Sequence, residues 1–413
     1  MTESFPVARP SGCPFDPARE YATFRRTDGL AKVSTPAGVD AYVVSRYDEV
    51  RTLLRDSRLS SRSAPSDHVV PDADLDRDVD PGSILNVDGA AHKRLRRLLA
   101  TEFAAKRMEA MRPRIAAMIE ERIDAMLAAG GPVDLVREFA LPIPSLVICE
   151  LLGVPYADRD EFQERSALLV RVDGWTDEIQ RASDELDQYM VGLVQAKQAE
   201  RSDDLLSRLI TRGEELGDPL SLPELVSLGI TLLIAGHETT ANMIALSTLA
   251  LLRNPEQLAL LRSDPSLAPA AVEELLRYLS VVHFGLFRHV TDEVALGEST
   301  IGAGEFLIAA LSSANRDESV FPDPDRLDVE REAAAHVAFG FGPHQCLGQQ
   351  LARVELQEVF TRLYSRIPTL RLAVPFEEIR YRDNTLVYGV SALPVTWDRA
   401  AEAPATDRDL KSS

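Results

Sequence analysis

A chain of 413 residues with 45% hydrophobic and 27% charged residues is too apolar for a disordered segment, and long enough for one large enzyme or about three smaller domains. Its 65 acidic against 45 basic residues leave a net charge of -20, a field that repels phosphate backbones and anionic lipid and excludes nucleic acid as the main partner. Cys13, Cys149 and Cys346 form no CxxC pair, which excludes a disulfide framework and a thiol zinc site and points to a reducing cytoplasm.

The first residues, MTESFPVARPSGCPFDP, hold charges and prolines but no apolar stretch of signal-peptide length. Alternation predicts a strand over Ala41 to Ser45. From Ser60 to Asn86, prolines and aspartates without a sustained period predict a long loop. His92 to Arg97 reads as a helix with His92 and Arg96 four apart on one face. Apolar residues three and four apart predict helices over Glu161 to Val170, Asp177 to Arg201 and Asp204 to Ile210.

Ser221 with Glu224 three residues on starts the longest helix, and Asn254-Pro255 stops it. That is about 33 residues, or about 50 Å. Leu228 to Leu252 is apolar enough to imitate a membrane span, but Gly236, His237, Glu238, Thr239 and Thr240 stand at its middle, where ionisable groups are costly in lipid. A buried helix carrying a polar functional patch is the better account, with no membrane attachment. Short strands resume at Val294 to Leu296, Glu305 to Leu311 and Leu370 to Ala373. With no repeat or linker, the expectation is one domain over 1–399 and a loose tail over 400–413. Its class is mainly α with small β-sheets at the edge (α+β).

Phe339-Gly340-Phe341-Gly342-Pro343-His344-Gln345-Cys346-Leu347-Gly348 is an irregular turn followed by a helical period, so Cys346 lies where a helix begins. Backbone N–H groups and the positive helix end there favour a thiolate, suited to nucleophilic attack or metal ligation, whereas an ordinary free cysteine is a small buried hydrophobe. Gly340, Gly342 and Gly348 let a flat rigid body approach the backbone, and Phe339 can shield the sulfur.

This loop resembles the haem-binding loop of the cytochrome P450 family. Glu274-Leu275-Leu276-Arg277 resembles that family's ExxR motif and Ala235-Gly236-His237-Glu238-Thr239-Thr240 its oxygen-binding helix motif; Asn315-Arg316-Asp317 and Phe321-Pro322-Asp323-Pro324 follow in the right order. The resemblance runs from the His92 region onward. It implies a P450-like fold with the long central helix over haem b and Cys346 as the axial iron thiolate, the ligand type that favours O–O cleavage. It places Ala235, Gly236, Phe339, Gly340 and Gly348 beside the cofactor, and His92, Arg96, Arg288 and His344 on its propionates. Glu238 and Thr239 become the acid and alcohol that deliver protons. Glu274 and Arg277 brace the sulfur loop with a further arginine, expected at Arg326. Thr239 can also bond back to the Ala235 carbonyl and open the helix locally.

His237-Glu238 suggests the zinc motif HExxH, but position 241 is Ala and the second ligand is missing. No GxGxxG follows a strand, so electrons must come from a separate protein. From His92 to Arg114, eight Lys/Arg against Glu102 and Glu109 give a local +6, a patch expected to steer an acidic carrier. The resemblance makes that carrier a ferredoxin with its ferredoxin reductase. Substrate walls are expected at Val79 to Leu85, Leu168 to Thr176, Val281 to Phe287 and Leu386 to Tyr388, mostly apolar. Similarity to soluble actinobacterial, Streptomyces-type natural-product-tailoring members implies a monomer that hydroxylates a sizeable lipophilic substrate such as a macrolide or other polyketide. Epoxidation and a non-catalytic haem-binding or sensor role are the rivals.

Overall fold

The computed structural model describes residues 3–5, 9–10, 13–27, 29–62, 69–70 and 82–398. The expected tail over 400–413 and most of the Ser60 to Asn86 loop lie outside the described residues. Helices α1 (Glu20–Arg26) and α2 (Tyr47–Arg55) precede α3 (Gly89–Leu99), α4 (Ala105–Ala129), α5 (Pro142–Leu152), α6 (Arg159–Leu169), α7 (Asp177–Ala199) and α8 (Leu205–Glu215). There follow α9 (Leu222–Arg253), α10 (Pro255–Ser263), α11 (Ala268–Leu279), α12 (Leu311–Ala314) and α13 (Gln349–Arg366).

The helix starts and stops follow local chemistry. Ser221 Oγ accepts from Glu224 N while Glu224 Oε2 accepts from Ser221 N at 2.8 Å, closing a capping box at the start of α9. At its other end Asn254 Nδ2 donates to Ala250 O at 2.8 Å, and Pro255 opens α10. The α7 and α8 caps are Thr176 and Asp204, whose side chains accept from Ile179 N and Ser207 N. No helix among the described residues is long and apolar enough to cross a membrane.

The largest sheet runs β1 (Glu3–Ser4), β2 (Ala31–Ser34), β3 (Asp40–Val44), β9 (Phe306–Ala309), β6 (Leu286–Val290) and β4 (Leu59–Ser60) in that order. β3 and β9 pair in parallel and the β6–β9 pair is antiparallel. β10 (Arg371–Leu372), β11 (Pro394–Thr396) and β5 (Val133–Asp134) form a second sheet, β7 (Val294–Leu296) and β8 (Ser299–Ile301) a third. The strand expected to reach Leu311 ends earlier: Ala310 N closes the ladder on Val44 O at 2.9 Å, and the chain turns at once into α12. The main apolar core gathers α4, α5, α7, α9, α11 and α13, and two smaller clusters lie against the sheet.

A buried ion pair ties α11 to the segment leading into the sulfur loop. Arg277 donates to Glu274 at 2.7 and 2.8 Å, both side chains fully buried, and to the carbonyls of Asn315 and Pro324 at 2.8 and 2.9 Å. The third arginine is Arg331, whose Nε donates to Glu274 Oε1 at 3.2 Å. The expected Arg326 instead points outward to Asp328 at 2.8 Å. Asp328 N donates to Glu274 Oε1 at 3.0 Å, and this turn points Arg326 away while Arg331 folds back over Pro322 and Asp323. A second link joins α11 to α13, with Arg353 bidentate on Glu273 at 2.6 and 2.9 Å and His336 Nε2 at 3.2 Å.

Arg331→Ala leaves Glu274 paired with Arg277 but takes away one charge-assisted hydrogen bond to a buried carboxylate, a loss of roughly 1.5–3 kcal/mol. Arg331→Ala should therefore lower the thermal midpoint clearly and Arg326→Ala hardly at all, measured by circular dichroism. Burial works to raise the Glu273 carboxyl, but His336 and Arg353 outweigh it and hold it at about 2, against roughly 4.3 in the unfolded chain. A depressed carboxylate stabilises the fold above its unfolded value, and that contribution is lost as pH falls towards the folded value. Stability of Glu273→Gln should accordingly change less with pH between about 4.3 and 2 than that of the wild type in urea titrations.

Candidate functional site

The sulfur loop is held by its own backbone and by α2. Gly340 N donates to Val337 O and Cys346 N to Phe339 O, both at 2.8 Å. Gly342 has φ +75°, and a Cβ there would sit 2.4 Å from Leu54 O at the end of α2. Only glycine meets both conditions. Asn315 bridges from behind, donating to Ser280 Oγ and accepting from Val337 N, each at 2.8 Å. Arg353 lies 4.7 Å over the Phe339 ring, and Arg51 and Arg55 lie 4.3 and 4.2 Å over Phe341.

Cys346 stands just before α13 and is exposed, with protein packed around it. Burial pushes its thiol up, against the N–H groups of Gly348 and Gln349 and the positive charges of Arg96 and Arg353. Gly348, the cap of α13, has open space where a Cβ would stand.

Four nitrogen-bearing side chains gather near this loop. His92 and His344 stack at 3.9 Å, and His344 Nε2 lies 3.1 Å from Asp88 Oδ1. Asp88 also accepts from Ser60 Oγ at 2.6 Å and Ser61 N at 3.0 Å, and is held at about 2 although burial opposes this. Arg96 donates to Gln345 O at 2.9 Å, and Arg288 on β6 to Phe287 O at 2.7 Å. Burial pushes Arg288 down to about 10; burial, then His344 and Arg96, push His92 down to about 4. Among the described residues neither Arg96 nor Arg288 pairs with a carboxylate. Two uncompensated guanidinium groups beside an accessible thiol fit a flat dianionic group, and the two propionates of haem b carry that charge.

Along α9, Thr231, Ala235 and Thr239 are accessible at intervals of four, while Leu232, Leu233, His237 and Glu238 are buried. A cleft therefore reaches one face at the helix centre. Thr239 Oγ1 donates to Ala235 O at 2.8 Å as expected, yet α9 remains regular throughout. The bare Cα of Gly236 accommodates α5: a Cβ would lie 2.9 Å from Ile148 Cδ1.

Glu238 faces away from Thr239, since consecutive helical side chains diverge by about 100°. Its Oε2 accepts from Arg382 at 3.1 Å and its Oε1 lies 3.4 Å from His237 Nε2. Burial would raise this carboxyl, but His237 and Arg382 keep it below the usual range. Asp88, Arg331 and Arg382 were not legible as site residues. The weak signal for Asp88 was its place four residues before His92.

Five of the eight cations of the +6 segment are tied to carboxylates. Arg94 pairs with Asp218 and Glu224, Arg97 with Asp218, Arg107 with Glu102, Arg112 with Glu109 and Glu358, and Arg114 with Glu150. The carboxylates from α5, α9, α13 and the turn before α9 are distant in sequence and close in space.

Residues 162–368 match the cytochrome P450 family. Cytochrome P450-SU2 of Streptomyces griseolus is 47% identical over 95% of this chain and 96% of its own. The pentalenic acid synthase of Streptomyces avermitilis is 46% identical over 95% and 98%. The crystal structure of CYP105P1 in complex with filipin I superimposes with a TM-score of 0.91 at 43% identity, covering 97% of this chain and 100% of that one. Similarity over nearly the whole length, on a helical fold with an accessible cysteine before α13, makes the chain a member of the cytochrome P450 family of haem monooxygenases.

Proposed function

We propose that this monooxygenase inserts one oxygen atom of O2 into a C–H bond of a sizeable lipophilic natural product, acting as a single-domain monomer with electrons from a ferredoxin and its reductase. Accessible Cys346, beside uncompensated Arg96 and Arg288, is the observation that carries the reading. Cys346 Sγ would hold the iron, Phe339, Gly340 and Gly348 would flank the ring, and His92, Arg96, Arg288 and His344 would take the propionates. Haem b supplies the activation of dioxygen when bound. Ala235, on the accessible face of α9, would leave room beside it, whereas Gly236 gives its space to α5. Thr239 Oγ1, on the accessible face of α9, would position a proton there, and Glu238 would supply protons from behind.

The substrate class is supported by the relatives' own ligands, since one is named pentalenic acid synthase and another solved relative binds filipin I. The chain also brings three of the expected wall segments together. Leu386 N donates to Val170 O and Tyr388 N to Val281 O, each at 2.8 Å. Residues 79–81 of the fourth segment lie outside the described residues.

For the carrier, Arg51 and Arg55 are the better candidates. They stand over Phe341 of the sulfur loop with no carboxylate partner among the described residues, and their charge remains available to an acidic surface.

Dithionite reduction under carbon monoxide should give a thiolate-type ferrous-carbonyl spectrum that Cys346→Ser abolishes; an unchanged spectrum in the variant would remove the assignment. Glu238→Gln and Thr239→Ala should each cut product per electron by about tenfold or more, with peroxide appearing instead. Arg55→Glu should slow reduction by ferredoxin about tenfold at low salt, whereas Arg97→Glu, already held by Asp218, should leave the stopped-flow rate near wild type.

A further inference from the structure

We propose that Arg9 is a positioning residue for substrate size: it clamps Val281 to Phe287 against Leu386 to Tyr388 and so sets the bulk of ligand the site accepts, an inference that rests on the reading of those segments as substrate walls. The two segments form a short antiparallel ladder. Tyr388 N donates to Val281 O at 2.8 Å, His283 N donates to Leu386 O at 3.1 Å, and Val282 bridges to Val387 between them. A two-stranded ladder of this length is marginal without support from elsewhere.

The support comes from near the start of the chain. Val281 follows α11 after the single residue Ser280, whose φ of +43° turns the chain out of the helix. The last carbonyls of α11 are the negative end of its dipole, and Arg9 faces them. Its Nη1 donates to Leu279 O at 3.4 Å, and its Nη2 donates to Leu279 O and Ser280 O at 3.4 and 3.3 Å. Nη1 also donates to Pro14 O and Phe15 O at 3.5 and 3.4 Å, and the guanidinium lies 3.9 Å over the Tyr388 ring. One planar cation therefore touches the residues that lead into Val281 and the tyrosine that bonds to Val281. None of these bonds is short. The hold comes from one charge shared by four carbonyl dipoles and an aromatic face, which the flat fork of arginine meets together and a lysine ammonium does not. The carboxylate of Asp16 goes to Arg316 at 3.2 Å, and burial pushes Arg9 down to about 10.

Four residues earlier, the same end of the chain supports the other end of the wall. Phe5 N donates to Ser34 O at 3.1 Å, continuing the pairing of β1 with β2. The Phe5 ring lies 6.2 Å from Phe284 and 6.1 Å from Phe287, and all three side chains are buried. Phe5 and Arg9 thus meet opposite ends of Val281 to Phe287. The sulfur loop is braced through another set of residues, Glu274, Arg277 and Asn315, so loss of Arg9 would loosen the wall and leave Cys346 in place. A small ligand that touches little besides the iron would not sense that change, and a bulky one would.

The test uses full-length holoprotein as wild type, Arg9→Met, Arg9→Lys and Leu386→Ala, titrated spectrally with imidazole and with clotrimazole, a small and a bulky ligand of haem iron. Arg9→Met should weaken clotrimazole about tenfold and leave imidazole within about twofold. The same split, to a smaller degree, is expected for Arg9→Lys, which keeps the charge but not the fork and decides the matter should Arg9→Met fail to fold. Leu386→Ala, in the wall itself, should also weaken clotrimazole. Equal weakening of both ligands in the Arg9 variants would show a structural role alone and overturn the proposal. If Leu386→Ala weakens clotrimazole while the Arg9 variants bind it as wild type does, only the positioning role falls. If Leu386→Ala leaves clotrimazole binding unchanged, the wall assignment falls, and this inference with it.

Discussion

Arg277 and Glu274 share two hydrogen bonds with neither side chain exposed, and the position of the sulfur depends on that contact. A buried ion pair adds little net stability over a well-packed apolar pair, because desolvation offsets attraction. What it does here is gather chain. Arg277 fixes the carbonyls of Asn315 and Pro324, Glu274 fixes Asp328 N and Arg331, and Asn315 in turn accepts from Val337 at the start of the sulfur loop. From there two short backbone bonds and the close approach of Gly342 to α2 carry the geometry to Cys346. Each link satisfies a polar group that would otherwise be orphaned, so the brace has few alternative arrangements.

Charge is used unevenly in this acidic molecule. Arg94, Arg97, Arg112 and Arg114 of α3 and α4 pair with carboxylates from other elements, so they bind helices together. Four of the guanidinium groups that lack a carboxylate partner among the described residues stand near the sulfur loop: Arg96 and Arg288 turned towards the site, Arg51 and Arg55 on the aromatic ring of the loop. An uncompensated cation is costly when buried. Their presence beside an accessible thiol therefore points to an anionic cofactor more specifically than the cysteine does alone.

Local sequence determined much of this protein. The limits of α9 follow from the Ser221–Glu224 capping box and from Pro255, chemistry that acts over three or four residues. The back-bond of Thr239 and the placing of Cys346 before a helix were equally legible, since both depend on neighbours along the chain. The motif order identified the family for the same reason, because each motif is a short run.

Tertiary structure alone decided which charges meet. Arg94 finds Asp218 124 residues away, and Arg382 finds Glu238 across 144; no periodicity encodes such pairs. The choice of Arg331 over Arg326 turned on the path of one turn after Pro324. Hydrophobic period and capping are properties of adjacent residues. Ion pairing and desolvation depend on distances that exist only once the chain has closed on itself.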